Sequence, residues 1–264
     1  MPIVRLEVEG LNGLMNTVLE LARGLPAGAF LWYRGINRGN HALLPGLMRA
    51  GRPAKDVFDR EKRLLIRFRQ RGLPYWPSGY PQTDWEHLFA MQHFGLPTRL
   101  LDWSENLFVA AHFALHPHDL DDADEQRPVV WCVDPVAWNR STPLLSEYGD
   151  SVHVLTTADD DLEAYRPETN IRRAKSPVMM FGTHNSGRIV AQRGTFMVWG
   201  EDPRPMEDFA GEVEATVWRL EVRGERVALA RDLNALGFGE TMVFPDLSAL
   251  ATELNRIEGW RAVP

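Results

Sequence analysis

A chain of 264 residues, 44% hydrophobic and 25% charged, has the composition of a soluble globular protein, with room for one large domain or two small ones. Its net charge of −7 argues against a general nucleic-acid binder, and a lone cysteine, Cys132, excludes an internal disulfide and a cysteine-based zinc site and fits a reducing compartment. The first residues lack the basic-then-apolar pattern of a secretory signal and no apolar run approaches bilayer length, so a cytoplasmic chain without membrane contact is expected.

In chain order, Leu14, Val18, Leu19 and Ala22 recur at helical spacing and predict an amphipathic helix over 11–23, ended by Gly24, Pro26 and Gly28. FLWYR, residues 30–34, is aromatic-rich and predicts a short buried strand. Gly35 ends it, and a glycine there lets another backbone or a ligand come close. A loop over 37–45 leads to a short helical segment near Leu47 and Met48. Residues 55–71 predict a helix with Val57, Phe58, Leu64, Leu65 and Phe68 turned inward. Its outer face carries Lys62, Arg63, Arg67, Arg69 and Arg71. That face reads as a solvated surface relieved by Asp56, Asp59 and Glu61, or else as a docking strip for a polyanion, which salt dependence of binding would expose. Three Pro and one Gly make 73–83 a rigid loop, and Asp84 is expected to cap a helix over 85–93.

That helix delivers Gln92 and His93 to the most informative stretch, QHFGLPTRLLDWSENLFVAAHFAL, residues 92–115. Gly95 and Pro97 break the helix, and a strand-like loop follows with Thr98, Arg99, Asp102, Trp103 and Ser104 on an apolar background. Ser104 is placed to cap a buried helix over 105–115. The arrangement suits a pocket wall; equally, Arg99 and Asp102 could form a buried ion pair and Trp103 a core contact. Beyond it, residues 119–125 are acidic without the spacing of an EF-hand, so a solvated turn is expected, with His116 and His118 at its edge.

VVWCV, residues 129–133, predicts a strand, and Asp134 with Pro135 opens a helical turn. Residues 139–177 have weak periodicity and read as an irregular insertion or flap. RIVAQRGTFMVWG, residues 188–200, suggests two short strands broken at Arg193 and Gly194. A strand over 215–222, a helix over 225–236 with Leu229, Leu233 and Leu236 inward, a turn at 237–240 and a last helix over 246–257 complete the chain. The expected fold is one α+β domain of short, mostly antiparallel strands packed with helices.

No phosphate-cradling loop, dinucleotide glycine motif, zinc-protease motif or nucleophile elbow is present. What remains is polar residues at separate breaks: Tyr33 and Arg34, then residues 92–104, then Glu240, with Gln192 as a further candidate. An Arg, a Ser or Thr and a Glu gathered from different strands suit an anionic ligand with sugar hydroxyls, and the Glu could stabilise an oxocarbenium-like transition state. His93, at the helix-to-loop break, is either catalytic or a satisfied structural imidazole.

These residues also carry a resemblance. Tyr33-Arg34-Gly35, the block from Gln92 to Ser104, then Asn106, Ala110, Phe113 and Ala114, then 191–196 and Glu240 with 244–247 resemble the FRG-domain family, named for its aromatic-Arg-Gly motif. The resemblance spans most of the chain and implies a single domain over 1–264 carrying the insertion at 139–177. More loosely, Tyr33-Arg34-Gly35, Ser104 and Glu240 are similar in order to the NAD site of Arg-Ser-Glu ADP-ribosyltransferases. That likeness implies a possible ADP-ribosyltransferase-like fold and NAD as substrate, with no metal. Arg34 would hold the phosphates or position the nicotinamide ribose, Ser104 would order the site, and Glu240 would bond the ribose and assist loss of nicotinamide. Tyr33, Gly35, Gln92, His93, Thr98, Arg99, Asp102, Trp103 and Gln192 would bind the nucleotide. The acceptor would be protein or nucleic acid, and the role that of a toxin or phage-defence effector. The alternative is a nucleotide-binding module without turnover, with Gln192 in the place of the acidic residue.

Overall fold

The computed structural model describes residues 3–76, 80–115, 127–183, 186–210, 212 and 217–260. His116, His118 and the acidic turn at 119–125 lie outside them. Among the described residues the β-rich runs form β1 (Val4–Glu9), β2 (Trp32–Ile36), β3 (Leu100–Ser104), β4 (Val129–Val133), β5 (Val178–Phe181), β6 (Gly194–Val198) and β7 (Val217–Arg223). They build one seven-stranded sheet in the order β1-β7-β4-β2-β3-β6-β5. Only β1 and β7 run parallel; the other neighbours are antiparallel. The helices are α1 (Gly10–Arg23), α2 (Ala54–Gly72), α3 (Asp84–His93), α4 (Leu107–Leu115), α5 (Pro135–Arg140), α6 (Gly187–Gln192), α7 (Met206–Phe209), α8 (Arg226–Ala235), α9 (Glu240–Val243) and α10 (Leu247–Ile257). The architecture is the α+β one expected. β1 and β5 are additions to it: the first is a short alternating edge strand, the second a four-residue apolar run.

The sheet nearly divides between β2 and β3, which pair only at Tyr33 and Ser104. On one face a continuous core crosses the division, with Trp32, Trp131 and Val217 beside Leu101, Trp103 and Met197. On the other face there are two cores. One lies over β1, β7, β4 and β2, where α1, α4 and α8 contribute Leu14, Ala110, Ala114 and Leu229. The other lies over β3, β6 and β5, where α2 and α3 contribute Leu65, Leu88 and Phe89. The seam between these two cores falls at the β2–β3 division and is where a cleft can open.

Several local expectations are corrected by the packing. Gly35 lies inside β2 rather than after it, and α4 crosses it so closely that a Cβ there would stand 1.8 Å from the Ala110 carbonyl oxygen. Thr83, not Asp84, caps α3: its hydroxyl accepts from the Glu86 N–H and the Glu86 carboxylate accepts from the Thr83 N–H, a reciprocal box that outcompetes a single Asp. α4 begins at Leu107, not at 105, and Asn106 Oδ1 accepts from the Phe108 N–H in the capping place expected of Ser104. Residues 187–192 are helical rather than extended, because Ser186 caps them through the Ile189 N–H. Leu236 is 60% exposed, not inward.

Glu61 is not a solvated counter-charge. It is fully buried, and Arg99 Nε donates to its carboxylate at 2.8 Å. The remaining guanidinium donors go to the Trp199 carbonyl and, at 2.6 Å, to the Tyr165 carbonyl. Arg99 therefore pairs with α2, not with Asp102, and its charge is paired and hydrogen-bonded as a buried ion requires. Tyr165 belongs to the irregular stretch at 139–177, which is no open flap: Asn139 Nδ2 donates to the Met179 carbonyl, the Met179 N–H donates back to Asn139 Oδ1, and Leu155 bridges to β5.

Substituting Gly35→Ala forces a methyl group into backbone rather than into a yielding side chain. The variant is expected to lose about 3 kcal/mol or more of unfolding free energy in a denaturant titration. A variant as stable as the parent would mean that α4 can lift from β2 at little cost.

Candidate functional site

At the seam lies a cleft of about 190 Å³. Tyr33, Gly35, Ala110 and Phe113 line it from the side of β2 and α4; Phe89, Ile189 and Phe196 line it from the side of α3, α6 and β6. The walls are mostly apolar and aromatic, with polar groups concentrated at the β2–β3 division, the usual composition of a ligand site.

Arg34 is the first of these polar groups. By strand alternation it leaves β2 on the face opposite Tyr33, and its guanidinium turns into the opening between β2 and β3. There it donates to the Asp102 carbonyl, adding a cross-strand bond where the ladder has a single residue pair. Its Nη1 stands 4.0 Å from the Asp102 carboxylate, and its buried Nε has no partner among the described residues. Burial lowers the Arg34 pKa; the Asp102 charge opposes that shift and Arg49 adds to it.

The Asp102 side chain, 54% exposed, is held from the other side by Gln92, whose Nε2 donates to Oδ2 at 2.7 Å. Gln92 is itself fixed, since its Oε1 accepts from the Thr98 hydroxyl at 2.6 Å and the Thr98 oxygen accepts from the Leu100 N–H. Each donor direction in this relay is set by the one before it, so the amide cannot flip without losing a bond. Thr98 is fully buried and acts through Gln92; it does not line the cleft.

Ser104 faces Tyr33 across the division. Its hydroxyl donates to the Gln192 carbonyl at 2.7 Å and its oxygen accepts from the Asn106 N–H, so it ties α6 and the α4 entrance to β3. Gln192 lines the cleft and donates to the Val243 carbonyl at 3.1 Å. Between α6 and β6, Arg193 holds a left-handed conformation, φ 45°, unusual for a residue other than glycine, and its carbonyl accepts from the Glu105 N–H. Burial, with Cys132 beside it, pushes the Tyr33 phenol up to about 12, so it stays protonated at neutral pH. Trp103 lines the cleft and also belongs to the continuous core.

Arg188, from α6, is a second cleft arginine. It stacks on the face of Phe244 with 4.5 Å from guanidinium carbon to ring centre. Burial lowers its pKa, opposed by Asp102 and Asp246. His93 is held below the ordinary 6.5 by burial and then by the charge of Arg188, with Asp246 opposing.

Nine of the twelve sequence-derived site residues thus meet on this cleft: Tyr33, Arg34, Gly35, Gln92, His93, Asp102, Trp103, Ser104 and Gln192. Arg99 is in the core, Thr98 is behind Gln92, and Glu240 is not a lining residue. Glu240 starts α9, and its carboxylate stands 3.9 Å from Nε2 of buried His112, whose ring contacts those of Phe113 and Phe244. Among the described residues, Asp102 is the carboxylate that lines the cleft. Arg188 is the charged lining residue that sequence reasoning missed; the signal was Ser186 ahead of GRIVAQ, a cap before a short helix, masked by β-branched Ile189 and Val190. Among the described residues no group of three or more His, Cys, Asp or Glu is gathered to hold a metal ion, and no helix is long and apolar enough to cross a membrane.

Comparison with known proteins identifies an FRG domain over residues 30–123. The matched segment contains Tyr33-Arg34-Gly35 and the whole block from Gln92 to Ser104, so the cleft's polar division lies inside the domain, while Arg188 and Gln192 come from outside it. No curated protein and no solved structure matches the chain.

The depressed His93 pKa gives a measurable consequence. Its imidazole is neutral at pH 7 and is expected to titrate below 6.5 in an NMR pH series. Because the folded pKa lies below the unfolded one, this group's effect on stability is absent above about 6.5 and becomes a destabilisation as the pH falls toward the folded value. Arg188→Ala is expected to raise the His93 midpoint; a midpoint unmoved by that change would separate the two side chains electrostatically.

Proposed function

We propose that the cleft binds an anionic nucleotide and that NAD is its substrate, cleaved at the nicotinamide–ribose bond for ADP-ribosyl transfer or hydrolysis. One observation carries the reading: Arg34 and Arg188 converge on a single aromatic-walled cleft that also holds the half-exposed Asp102 carboxylate. Guanidinium groups match phosphate oxygens as bidentate donors. The rings of Tyr33, Phe89 and Phe113 offer faces to a base or to nicotinamide. At about 190 Å³ the cleft is smaller than the roughly 300–1,000 Å³ that encloses a whole drug-sized ligand, so it takes one end of a dinucleotide and leaves the rest at the mouth.

In the cleavage step the bond from ribose C1′ to the nicotinamide nitrogen breaks and its electron pair leaves with nicotinamide. The ribose develops oxocarbenium character, and a water or acceptor oxygen adds at C1′ and gives up its proton to solvent. A carboxylate beside C1′ stabilises that charge. The resemblance assigned this role to Glu240; Asp102, oriented by Gln92, is the carboxylate we assign it to, because it faces the cleft and Glu240 does not. Loss of cellular NAD then accounts for a toxin or phage-defence role, read as growth arrest on induced expression.

A second reading is binding without turnover. Asp102 Oδ2 is already engaged by Gln92, and the wall beside Ser104 presents the Gln192 amide instead of an acid. The two readings separate in one experiment on the purified chain, combining a thermal shift with NAD and chromatographic release of nicotinamide. Turnover predicts both signals, the shift growing with the logarithm of NAD concentration. Arg34→Ala removes both, and Asp102→Asn keeps the shift while slowing release by about 100-fold. A shift without release supports the binding module; neither signal, with nucleic-acid and protein acceptors present, defeats both readings.

A further inference from the structure

The net charge of −7 conceals a local imbalance on α2. Arg63, Arg67 and Arg71 are all exposed and recur every four residues, so they stack on one face and span about 12 Å at a rise of about 1.5 Å per residue. Like charges at this spacing repel, a cost that an ordinary solvated face relieves with intervening acids. Of the acids near this face, Asp59 acts on Arg63 as well as on Lys55 and Asp56 is exposed ahead of it at the N-terminal end; the others are engaged elsewhere. Asp59 pairs with Lys55 at 2.7 Å, Asp84 pairs with Arg69, Glu86 closes the α3 capping box, and Glu61 is buried against Arg99. None of Arg63, Arg67 and Arg71 makes an ion pair among the described residues.

The stripe leads to an aromatic step. Tyr75, one turn beyond Arg71, is 83% exposed. Trp76 follows it and meets the ring of Phe94 edge-on at 6.5 Å. Phe94 is 64% exposed and adjoins His93, which lines the cleft. A row of exposed arginines without ion pairs, leading to exposed rings next to a residue of the cleft, combines phosphate-tracking charge with stacking platforms, the two components of single-strand recognition. An acidic peptide would use the charges and leave the rings idle.

We propose that α2 and the Tyr75–Phe94 step form a track for single-stranded nucleic acid, with phosphates on Arg63, Arg67 and Arg71 and bases on the exposed rings. Nucleic acid is then the acceptor class brought to the cleft. That last clause rests on the NAD reading of the cleft; the track itself does not.

The test is fluorescence anisotropy of the full chain with a labelled twelve-nucleotide single strand, RNA and DNA in parallel, over a salt series. Binding is expected, with a slope of log affinity against log salt steeper by about 2 than in the triple variant Arg63→Glu, Arg67→Glu, Arg71→Glu, about 0.7 per arginine. The triple variant is expected to lose about 100-fold in affinity, and Tyr75→Ala about 5- to 100-fold. Because all four side chains are exposed, circular dichroism should be unchanged. Absence of binding at low salt, or binding indifferent to the triple variant, overturns the track. Equal competition by poly-glutamate, together with no effect of Tyr75→Ala, also overturns it and makes the stripe an acidic-protein surface. The thermal shift with NAD keeps the outcomes distinct: on the parent chain, no strand binding with an NAD shift present refutes the track alone, and strand binding without any NAD signal refutes the cleft reading alone, while a triple variant that loses the strand and keeps the shift is the expected result.

Discussion

The approach of α4 to the backbone of β2 is the constraint on which the site depends. Only a residue without a Cβ lets the Ala110 carbonyl sit where it does against Gly35. With α4 pressed down, Ala110 forms a low wall and Phe113 stands at its side, so that space remains above the strand. A helix held off by an ordinary side chain would displace both walls and move Arg34 and Tyr33 relative to α4. The aromatic-Arg-Gly sequence therefore couples a packing requirement to a chemical one in consecutive residues: the ring lines the cleft, the arginine closes the strand division, and the glycine admits the helix.

The second constraint is the incomplete ladder between β2 and β3. A sheet hydrogen-bonded along its full length would bury Arg34 and Asp102 in mutual neutralisation or expel them to an edge. With one residue pair at Tyr33 and Ser104, the strands separate and the polar groups that remain must find other partners. Arg34 satisfies the Asp102 carbonyl, the Asp102 carboxylate is held by Gln92, and Gln92 is held by Thr98. A continuous core on the opposite face keeps the halves together, which allows the cleft face to be divided without the domain falling into two.

Much of this was legible in the sequence because the informative residues are local. Residues 92–104 contain a helix end, a positive-φ glycine at Gly95 and a strand in continuous order, and Gln92, His93, Asp102, Trp103 and Ser104 meet at the cleft. The departures come from partners distant in sequence or from helices too short to show a period. The sequence offers Arg99 a partner in Asp102, three residues on, and only the fold of α2 brings Glu61 to it instead. Six residues of α6 cannot display a 3.6-residue repeat against the β-branched pair Ile189 and Val190, which hid Arg188. Thr83 and Glu86 did form a readable capping box, but Asp84 between them competes as a single-residue cap.

The displacement of Glu240 from the cleft changes what the chemistry can be built from. In an apolar cleft, a carboxylate has the greatest effect on a developing cation when it is both close and partly desolvated. Glu240 stands 3.9 Å from the buried His112 imidazole, which packs against Phe113 and Phe244, and it is not among the residues that line the cleft. Asp102 is close, but its charge is shared with Gln92 and with the field of Arg34. A phosphate arriving on Arg34 would offset that guanidinium's field at Asp102 and leave the carboxylate charge less compensated. On the reading proposed for the cleft, an anion bound at Arg34 would thereby strengthen the pull of Asp102 on a cation developing beside it, with no movement of the backbone.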